Sequence, residues 1–229
     1  YPEIEIFQKY FECDFCEYNE DYFIKNISKY TILVPHLYLD LSSKLIGQAK
    51  NLKYLFTPST GTNHIDLQAV KENDINFYCL SDNADFISEI SSTAELAWLL
   101  ILSANRKIIP LNRRVISENS WKNNDIRGNQ LKNKTIGIIG FGRLGKMVYE
   151  YAKSFDMNIL IYDIDENSVL GYENHVIDFD GLIKSSDVIT LHPKLNDTSF
   201  EMINRHSINL MKDGVIIINT SRGDVINSE

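Results

Sequence analysis

The sequence predicts an α/β protein of two domains, each built on a parallel sheet, with the second sheet doubly wound. Three observations predict this. Short apolar runs of strand length alternate with helical patterns along most of the chain. A polar stretch near residue 85 separates two such series. The second series opens on an apolar strand that runs straight into a glycine-punctuated turn and a helix. Strand and helix alternation of this kind favours parallel strands covered by helices. A chain of 229 residues, 44% hydrophobic and 24% charged, can bury a sizeable core and accommodates two modest domains.

The first series begins with Thr31 to Val34, a buried strand ended by Pro35. Asp40 is placed to cap a helix running to Ala49, with Leu41, Leu45 and Ile46 on its apolar side. Lys53 to Phe56 reads as a second strand, followed by the loop Thr57-Pro58-Ser59-Thr60-Gly61-Thr62-Asn63. Asp66 to Glu72 is a short helix and Ile75 to Leu80 a third strand. Ser81 to Asp85 is polar and reads as a crossing between domains. From Ser92 a long helix carries the run Leu96-Ala97-Trp98-Leu99-Leu100-Ile101-Leu102, wide enough to be buried on most sides or shared with a second subunit. Arg106 and Lys107 suit the negative end of its dipole, and Pro110 marks a weakening or stop.

Residues 111–133 are polar, include Trp121 and Gly128, and read as a connection. The alternation then resumes more cleanly. Strands are expected at Thr135 to Ile139, Asn158 to Tyr162, Val188 to Leu191 and Val215 to Ile218. Helices are expected at Leu144 to Phe155, 180–185 and 206–212.

Bulk properties exclude some functions. A net charge of −8 argues against non-specific nucleic-acid binding, which needs a basic face. The longest apolar run, Leu96 to Leu102, is far shorter than the ~20 residues that span a bilayer, so no membrane association is expected. Three cysteines make no disulfide framework, which points to the reducing cytoplasm. Cys13 and Cys16 form a C-x-x-C, but no second pair completes a zinc site, and no metal is expected. Glu12, Asp14 and Glu17 oppose a lowered thiol pKa there, so two half-buried thiols are the plainer reading. The chain begins at Tyr1 without a methionine and stops at Glu229 soon after a strongly apolar strand, so truncation at both ends is expected.

The chemistry concentrates in the second series. Gly140-Phe141-Gly142-Arg143-Leu144-Gly145 matches G-x-G-x-x-G directly after the strand and opens a helix with Met147, Val148 and Tyr151 on one side. Gly140 permits the tight turn, Gly142 lets the backbone approach a pyrophosphate, and Gly145 lets the helix pack closely. The helix start then offers N–H groups and partial positive charge to phosphates. Asp163 ends the next strand, 18 residues after Gly145. A carboxylate there accepts from ribose hydroxyls and repels a 2′-phosphate, and Ile164, Asp165 and Glu166 follow instead of an arginine. The cofactor expected is therefore NAD rather than NADP. The blander alternative is a glycine turn with Asp163 capping a loop.

Residues Gly214 to Asn219 lead into Thr220-Ser221-Arg222-Gly223 at the carboxyl edge of the sheet, where ligands of open α/β sheets bind. Arg222 could fork onto a substrate carboxylate and polarise an adjacent carbonyl. A surface arginine at a strand end is the other reading.

Taken together, several blocks resemble the D-isomer-specific 2-hydroxyacid dehydrogenases, which include D-3-phosphoglycerate, glycerate and D-lactate dehydrogenases. They are Gly61-Thr62-Asn63-His64-Ile65-Asp66, Thr93-Ala94-Glu95 opening the helix to Arg106, Leu131 through Gly145, Asp187-Val188-Ile189-Thr190-Leu191-His192, and Leu210-Met211-Lys212-Asp213-Gly214 running to Asn219-Thr220-Ser221-Arg222-Gly223. The likeness spans about residues 30–227.

The resemblance implies two Rossmann-like domains: residues 1–90 as a partial, flavodoxin-like substrate-binding domain, and 91–229 as an NAD-binding domain without its C-terminal part. It implies that Ser59, Thr60 and Gly61 hold the substrate carboxylate through backbone N–H groups. Arg143 and Leu144 turn over the pyrophosphate. His192, Pro193, Thr220 and Ser221 are strand-end contacts to the cofactor, and Arg222 is the catalytic arginine. Members also use a histidine acid/base tuned by a glutamate, both later in sequence than the arginine. His36, His64, His175 and His206 match no such role, and His192 matches the cofactor side. A homodimer through helix 93–109 is a further implication, as is a 2-hydroxy or 2-oxo acid as small-molecule partner. Corepressors that sense NAD(H) on the same fold are the alternative, because a fold does not fix a function.

The sequence departs from the family at three places. Pro193 follows His192 at once, leaving the segment to Thr198 one residue short. Asn227 stands where an aspartate is usual, and the crossing from Ser81 to Ser92 is longer than in many members.

Overall fold

A computed structural model describes residues 2–15, 19–118 and 126–228. Cys16, Glu17 and Trp121 lie outside the described residues, so the C-x-x-C pair cannot be placed as a pair. The chain divides into two compact units, Tyr1–Ile87 and Ser88–Glu229.

The first unit starts with helices α1 (Pro2–Gln8) and α2 (Glu20–Asn26), neither of which the periodicity had marked. Strand β1 (Ile32–Leu33), helix α3 (Ser43–Gln48), strand β2 (Tyr54–Thr57), helix α4 (Leu67–Glu72) and strand β3 (Asn76–Cys79) follow. The three strands are parallel, in the order β1-β2-β3. The reversal of a flavodoxin-like sheet is not among these described strands. Leu33 and Leu55 sit in the core with Leu45 and Ile46 of α3 and Ala69 and Val70 of α4. Asp66 caps α4 by accepting from the Ala69 N–H at 2.9 Å. Asp40 does not cap α3. Leu41 is held extended by bonds to His64 and Asp66, which pushes the helix start to Ser43 with Ser42 as its N-cap.

The polar crossing is partly helical, with α5 at Ala84–Ser88. The second unit then runs α6 (Ser92–Asn105), α7 (Ile108–Glu118), β4 (Thr135–Ile139), α8 (Arg143–Ser154), β5 (Asn158–Tyr162), α9 (Phe179–Ser185), β6 (Val188–Leu191), α10 (Arg205–Leu210) and β7 (Ile216–Asn219). Pro110 does not stop a helix. The break falls at Lys107, at φ 55°, and Pro110 sits in the first turn of α7, where an N–H has no intrahelical partner to lose. The expected connection 111–133 is therefore helical up to Glu118.

The four strands are parallel in the order β5-β4-β6-β7. A parallel bridge from Ile161 to Val176 extends the series beyond β5, so the chain winds outward in both directions from β4. This is the doubly wound order, and its switch point lies between the carboxyl ends of β4 and β6. Two cores result. One joins Ile136 and Ile138 to α6 and α8, and the other joins Ile189 and Leu191 to Leu182 and Ile183 of α9. Gly137 lets α9 approach closely, because a Cβ would lie 2.4 Å from Leu182 Cδ2 and 2.5 Å from Ser186 Oγ and would force those side chains to shift.

Helix α6 is less buried than its composition suggested. Ala94, Ala97, Trp98 and Ile101 face the core, while Leu96 and Leu99 are 48% and 58% exposed. The 22-residue stretch Ala84–Asn105, with an 18-residue window of mean hydropathy 1.3, is long and apolar enough to cross a membrane by length and composition alone, although its longest uninterrupted apolar run is short. The α5 and α6 helices are separate within it, and the inward face of α6 packs on the sheet.

Candidate functional site

The second unit gathers its polar chemistry at the switch point. After Ile139, Gly140 adopts φ +87°, a conformation L side chains rarely adopt. A Cβ at Gly140 would lie 2.6 Å from the carbonyl carbon of His192, and the His192 N–H donates to Ile139 O at 2.7 Å. The ends of β4 and β6 are therefore in direct backbone contact. A Cβ at Gly145 would lie 2.2 Å from Gly140 O, and the nearest sheet atom is Ile138 Cγ2 at 3.4 Å. Gly145 thus serves the approach of α8 to its own turn more than to the sheet. Gly142 is the N-cap of α8, supplies no side-chain cap, and faces open space. The first N–H groups of α8 have no partner within the helix, and the dipole adds positive charge.

Asp163, directly after β5, does two things. Its Oδ2 accepts from the Phe141 N–H at 2.5 Å and its Oδ1 from the Asp165 N–H at 2.9 Å. It therefore buttresses the glycine turn, a role that spacing alone did not show. A carboxylate offers about four lone-pair sites, so acceptor capacity remains for a diol. Phe141 is fully buried, edge-on to Tyr149 and Tyr172. Leu144 packs against the core beside it. Arg143, the first residue of α8, turns its guanidinium back to donate through Nη1 to the carbonyl of Ile90.

His192 and Thr220 follow β6 and β7, one step beyond the register pair Leu191 and Asn219. His192 Nε2 meets Thr190 Oγ1 at 2.9 Å, whereas its Nδ1 is enclosed without a partner, as is Thr220 Oγ1. Burial pushes the His192 imidazole down to about 4, so it is neutral at ordinary pH. Pro193 continues the loop that touches Gly140. This loop is tied by Ser199, whose Oγ accepts from the Asn196 N–H at 3.0 Å and donates to Lys194 O at 2.6 Å. Thr198 joins the same turn, its N–H and hydroxyl donating to Asn196 Oδ1 at 3.0 and 2.7 Å.

Asn219 organises the next loop. Its Oδ1 accepts from the Ser221 N–H at 2.9 Å and the Ser221 hydroxyl at 2.8 Å, and its Nδ2 donates to Arg222 O at 2.8 Å. Arg222 is exposed, with Nη1 donating to Ser221 O at 3.0 Å. An Asn at a strand end shortly before a Ser is a recognisable turn-former, and that is the signal in the sequence for this role of Asn219. Asn227 belongs to a neighbouring pairing, its Nδ2 donating to Glu201 Oε2 at 3.0 Å.

In the first unit the loop after β2 is drawn tight. Ser59 Oγ donates to Gly61 O at 2.7 Å, lies 2.8 Å from Thr57 Oγ1, and Ser59 O accepts from Leu80 N–H at 3.1 Å. The Ser59 hydroxyl is thus engaged inside the loop. His64 Nε2 lies 3.4 Å from Thr57 Oγ1. Among the described residues no group of three His, Cys, Asp or Glu side chains is placed to hold a metal ion.

A doubly wound sheet with a glycine turn, a carboxylate after the second strand and an uncapped helix start at its switch point defines a dinucleotide-binding domain. His192 Nδ1 and Thr220 Oγ1, enclosed without partners at the ends of β6 and β7, leave polar capacity at this edge of the sheet.

The chain belongs to the D-isomer specific 2-hydroxyacid dehydrogenase family: the model of that family's NAD binding domain matches residues 98–229 and that of its catalytic domain residues 2–119. It is 36% identical over 213 residues to a hydroxypyruvate reductase of Thermotoga maritima, covering 92% of this chain and 66% of that protein. It is 40% identical over 179 residues to an aromatic 2-oxoacid reductase of Clostridium sporogenes, covering 78% and 52%. The crystal structure of a D-lactate dehydrogenase from Aquifex aeolicus, complexed with NAD and lactic acid, superposes with a TM-score of 0.77 at 32% identity, covering 89% of this chain and 60% of that one. The chain therefore spans between about half and two thirds of the length of these relatives. All three are named for redox enzymes, which favours the dehydrogenase reading over the corepressor one.

Proposed function

We propose that this chain carries the cofactor-binding and carbonyl-polarising parts of an NAD-dependent oxidoreductase that interconverts a D-2-hydroxy acid and its 2-oxo acid. The observation that carries the proposal is the Asp163 carboxylate bonded to the Phe141 amide of the glycine turn, with family membership across both units. NAD, when bound, supplies or accepts the hydride. The chain's own residues do the rest.

In this reading the N–H groups at the start of α8, from Arg143 and Leu144, hold the pyrophosphate over Gly140, Gly142 and Gly145. Asp163 accepts from the adenosine ribose and disfavours a 2′-phosphate by charge. His192, Pro193, Thr220 and Ser221 line the strand ends toward the nicotinamide. Arg222 pairs with the substrate carboxylate and polarises the 2-oxo group, which draws charge to the carbonyl oxygen as the hydride arrives. Ser59, Thr60 and Gly61 give backbone N–H groups to the carboxylate. The proton on the new hydroxyl comes from a group these residues do not supply: His192 is neutral, enclosed and bonded to Thr190.

The protein is further proposed to act in the reducing cytoplasm as a homodimer through α6, which corrects the span expected at 93–109 to Ser92–Asn105. The exposed Leu96, Leu99 and Leu100 support that face, and the unpaired Cys13 and Cys79 agree with a reducing compartment. Following NADH oxidation by the full-length protein with pyruvate, glyoxylate, hydroxypyruvate and phenylpyruvate tests the activity. Turnover of at least one supports it, and tight NADH binding without turnover of any overturns it.

A further inference from the structure

Arg143 sets a cation at the start of α8. It occupies the first position of α8, where the helix dipole is positive and a cation is disfavoured. Something must offset that. In the structure it is the carbonyl of Ile90, which accepts from Nη1. Ile90 stands between the end of α5 at Ser88 and the start of α6 at Ser92, on the segment that joins the two units in sequence. Ser91, its neighbour, is the N-cap of α6 and donates from its hydroxyl to Glu95 Oε1 at 2.5 Å. The joining segment is therefore fastened at two successive residues, once to its own helix and once to the phosphate-binding turn.

A guanidinium carries five N–H donors in a planar fork, and Ile90 engages one of its nitrogens. Backbone N–H groups at the α8 start can hold a pyrophosphate without this side chain, since Gly142 leaves that approach open. We propose that Arg143 is a coupling residue: its guanidinium bridges a bound dinucleotide's pyrophosphate and the Ile90 carbonyl, so that dinucleotide binding orders residues 88–92. The proposal rests on the dinucleotide site described above and assigns the side chain a task beyond cofactor affinity. An anion beside the fork holds at a second point a side chain already bonded to Ile90, and the carbonyl it holds becomes fixed more firmly with it.

Hydrogen exchange on the full-length protein, with and without saturating NADH, tests this against Arg143→Ala. In the wild type, NADH is expected to slow exchange at amides of residues 88–92 at least severalfold. In Arg143→Ala, NADH still binds, more weakly, and protects the glycine turn but not 88–92. Arg143→Lys, a point charge without the fork, is expected to recover part of the affinity but not the protection. Equal protection of 88–92 in wild type and Arg143→Ala, both saturated, overturns the coupling, as does wild-type binding that leaves 88–92 unchanged. Wild-type protein that fails to bind NADH at all overturns the dinucleotide reading itself, a separate and recognisable result.

Discussion

Gly140 and His192 touch through their backbones: a Cβ on Gly140 would sit 2.6 Å from the His192 carbonyl carbon, and Gly140 itself is at φ +87°. The turn that opens the dinucleotide site and the strand end beside it are thus one packed unit, with no space for a side chain between them.

Gly140→Ala should therefore fail twice, through left-handed strain of about 1–2 kcal/mol and through collision with backbone that cannot move aside. We expect a stability loss of at least about 2 kcal/mol and NADH affinity reduced more than about tenfold. Denaturant melts and fluorescence titration measure both. Gly142→Ala, at a position facing open space, should leave stability nearly unchanged while weakening NADH binding.

Asp163→Asn keeps an acceptor for the Phe141 amide and removes the charge. NADH affinity should fall about 10- to 100-fold, the worth of a charge-assisted pair, and the preference for NADH over NADPH should shrink. Titration with both cofactors reads this, with the melting temperature as a control on the turn.

His192 gives a pH signature. Its folded pKa, about 4, lies below its ordinary 6.5. Between those values the unfolded chain binds a proton that the folded one does not. Its contribution is complete above pH 6.5 and is lost as pH falls toward 4. His192→Asn should flatten the stability–pH curve in that window by about 1–3 kcal/mol, as read from urea midpoints at successive pH values.

Asp187 acts in a lower window. Burial raises its pKa, but the Thr135 amide at 2.8 Å, Lys212 at 3.2 Å and Lys134 at 4.0 Å outweigh that and hold it below the usual carboxylate value. Its stabilisation is complete above about pH 3.9, the unfolded value, and disappears as pH drops through the folded one. Because Asp187 joins the starts of β4 and β6 to Lys212, Asp187→Asn should cost about 1 kcal/mol at pH 7 and little once the pH has fallen below its folded pKa.

Where apolar periodicity and a strong local signal agreed, the sequence was readable. Strands β5 and β6 fall where expected, and the glycine turn, Asp163 and Arg222 stand at the carboxyl edge of one sheet. Errors arose where tertiary contacts override local preference. Leu41 is held extended by His64 and Asp66, so Asp40 could not begin α3. Pro110 suggested a weakening or stop because nothing local shows that Lys107 breaks the helix first. Composition made α6 look buried on most sides, but only one of its faces meets the sheet. The partnerships of Asp163 with Phe141, Arg143 with Ile90, and Asn219 with Ser221 and Arg222 are contacts across turns, and residue spacing does not encode them.

The most direct measurement is steady-state reduction of a 2-oxo acid by NADH with wild-type protein and Arg222→Ala, alongside NADH affinity for each. The account predicts that wild type turns over, that Arg222→Ala loses at least about 100-fold in kcat/KM, the scale of removing one electrostatic stabiliser of the transition state, and that NADH affinity stays within about twofold, well under the tenfold that 1.4 kcal/mol represents. Arg222→Ala with wild-type kcat/KM would contradict it.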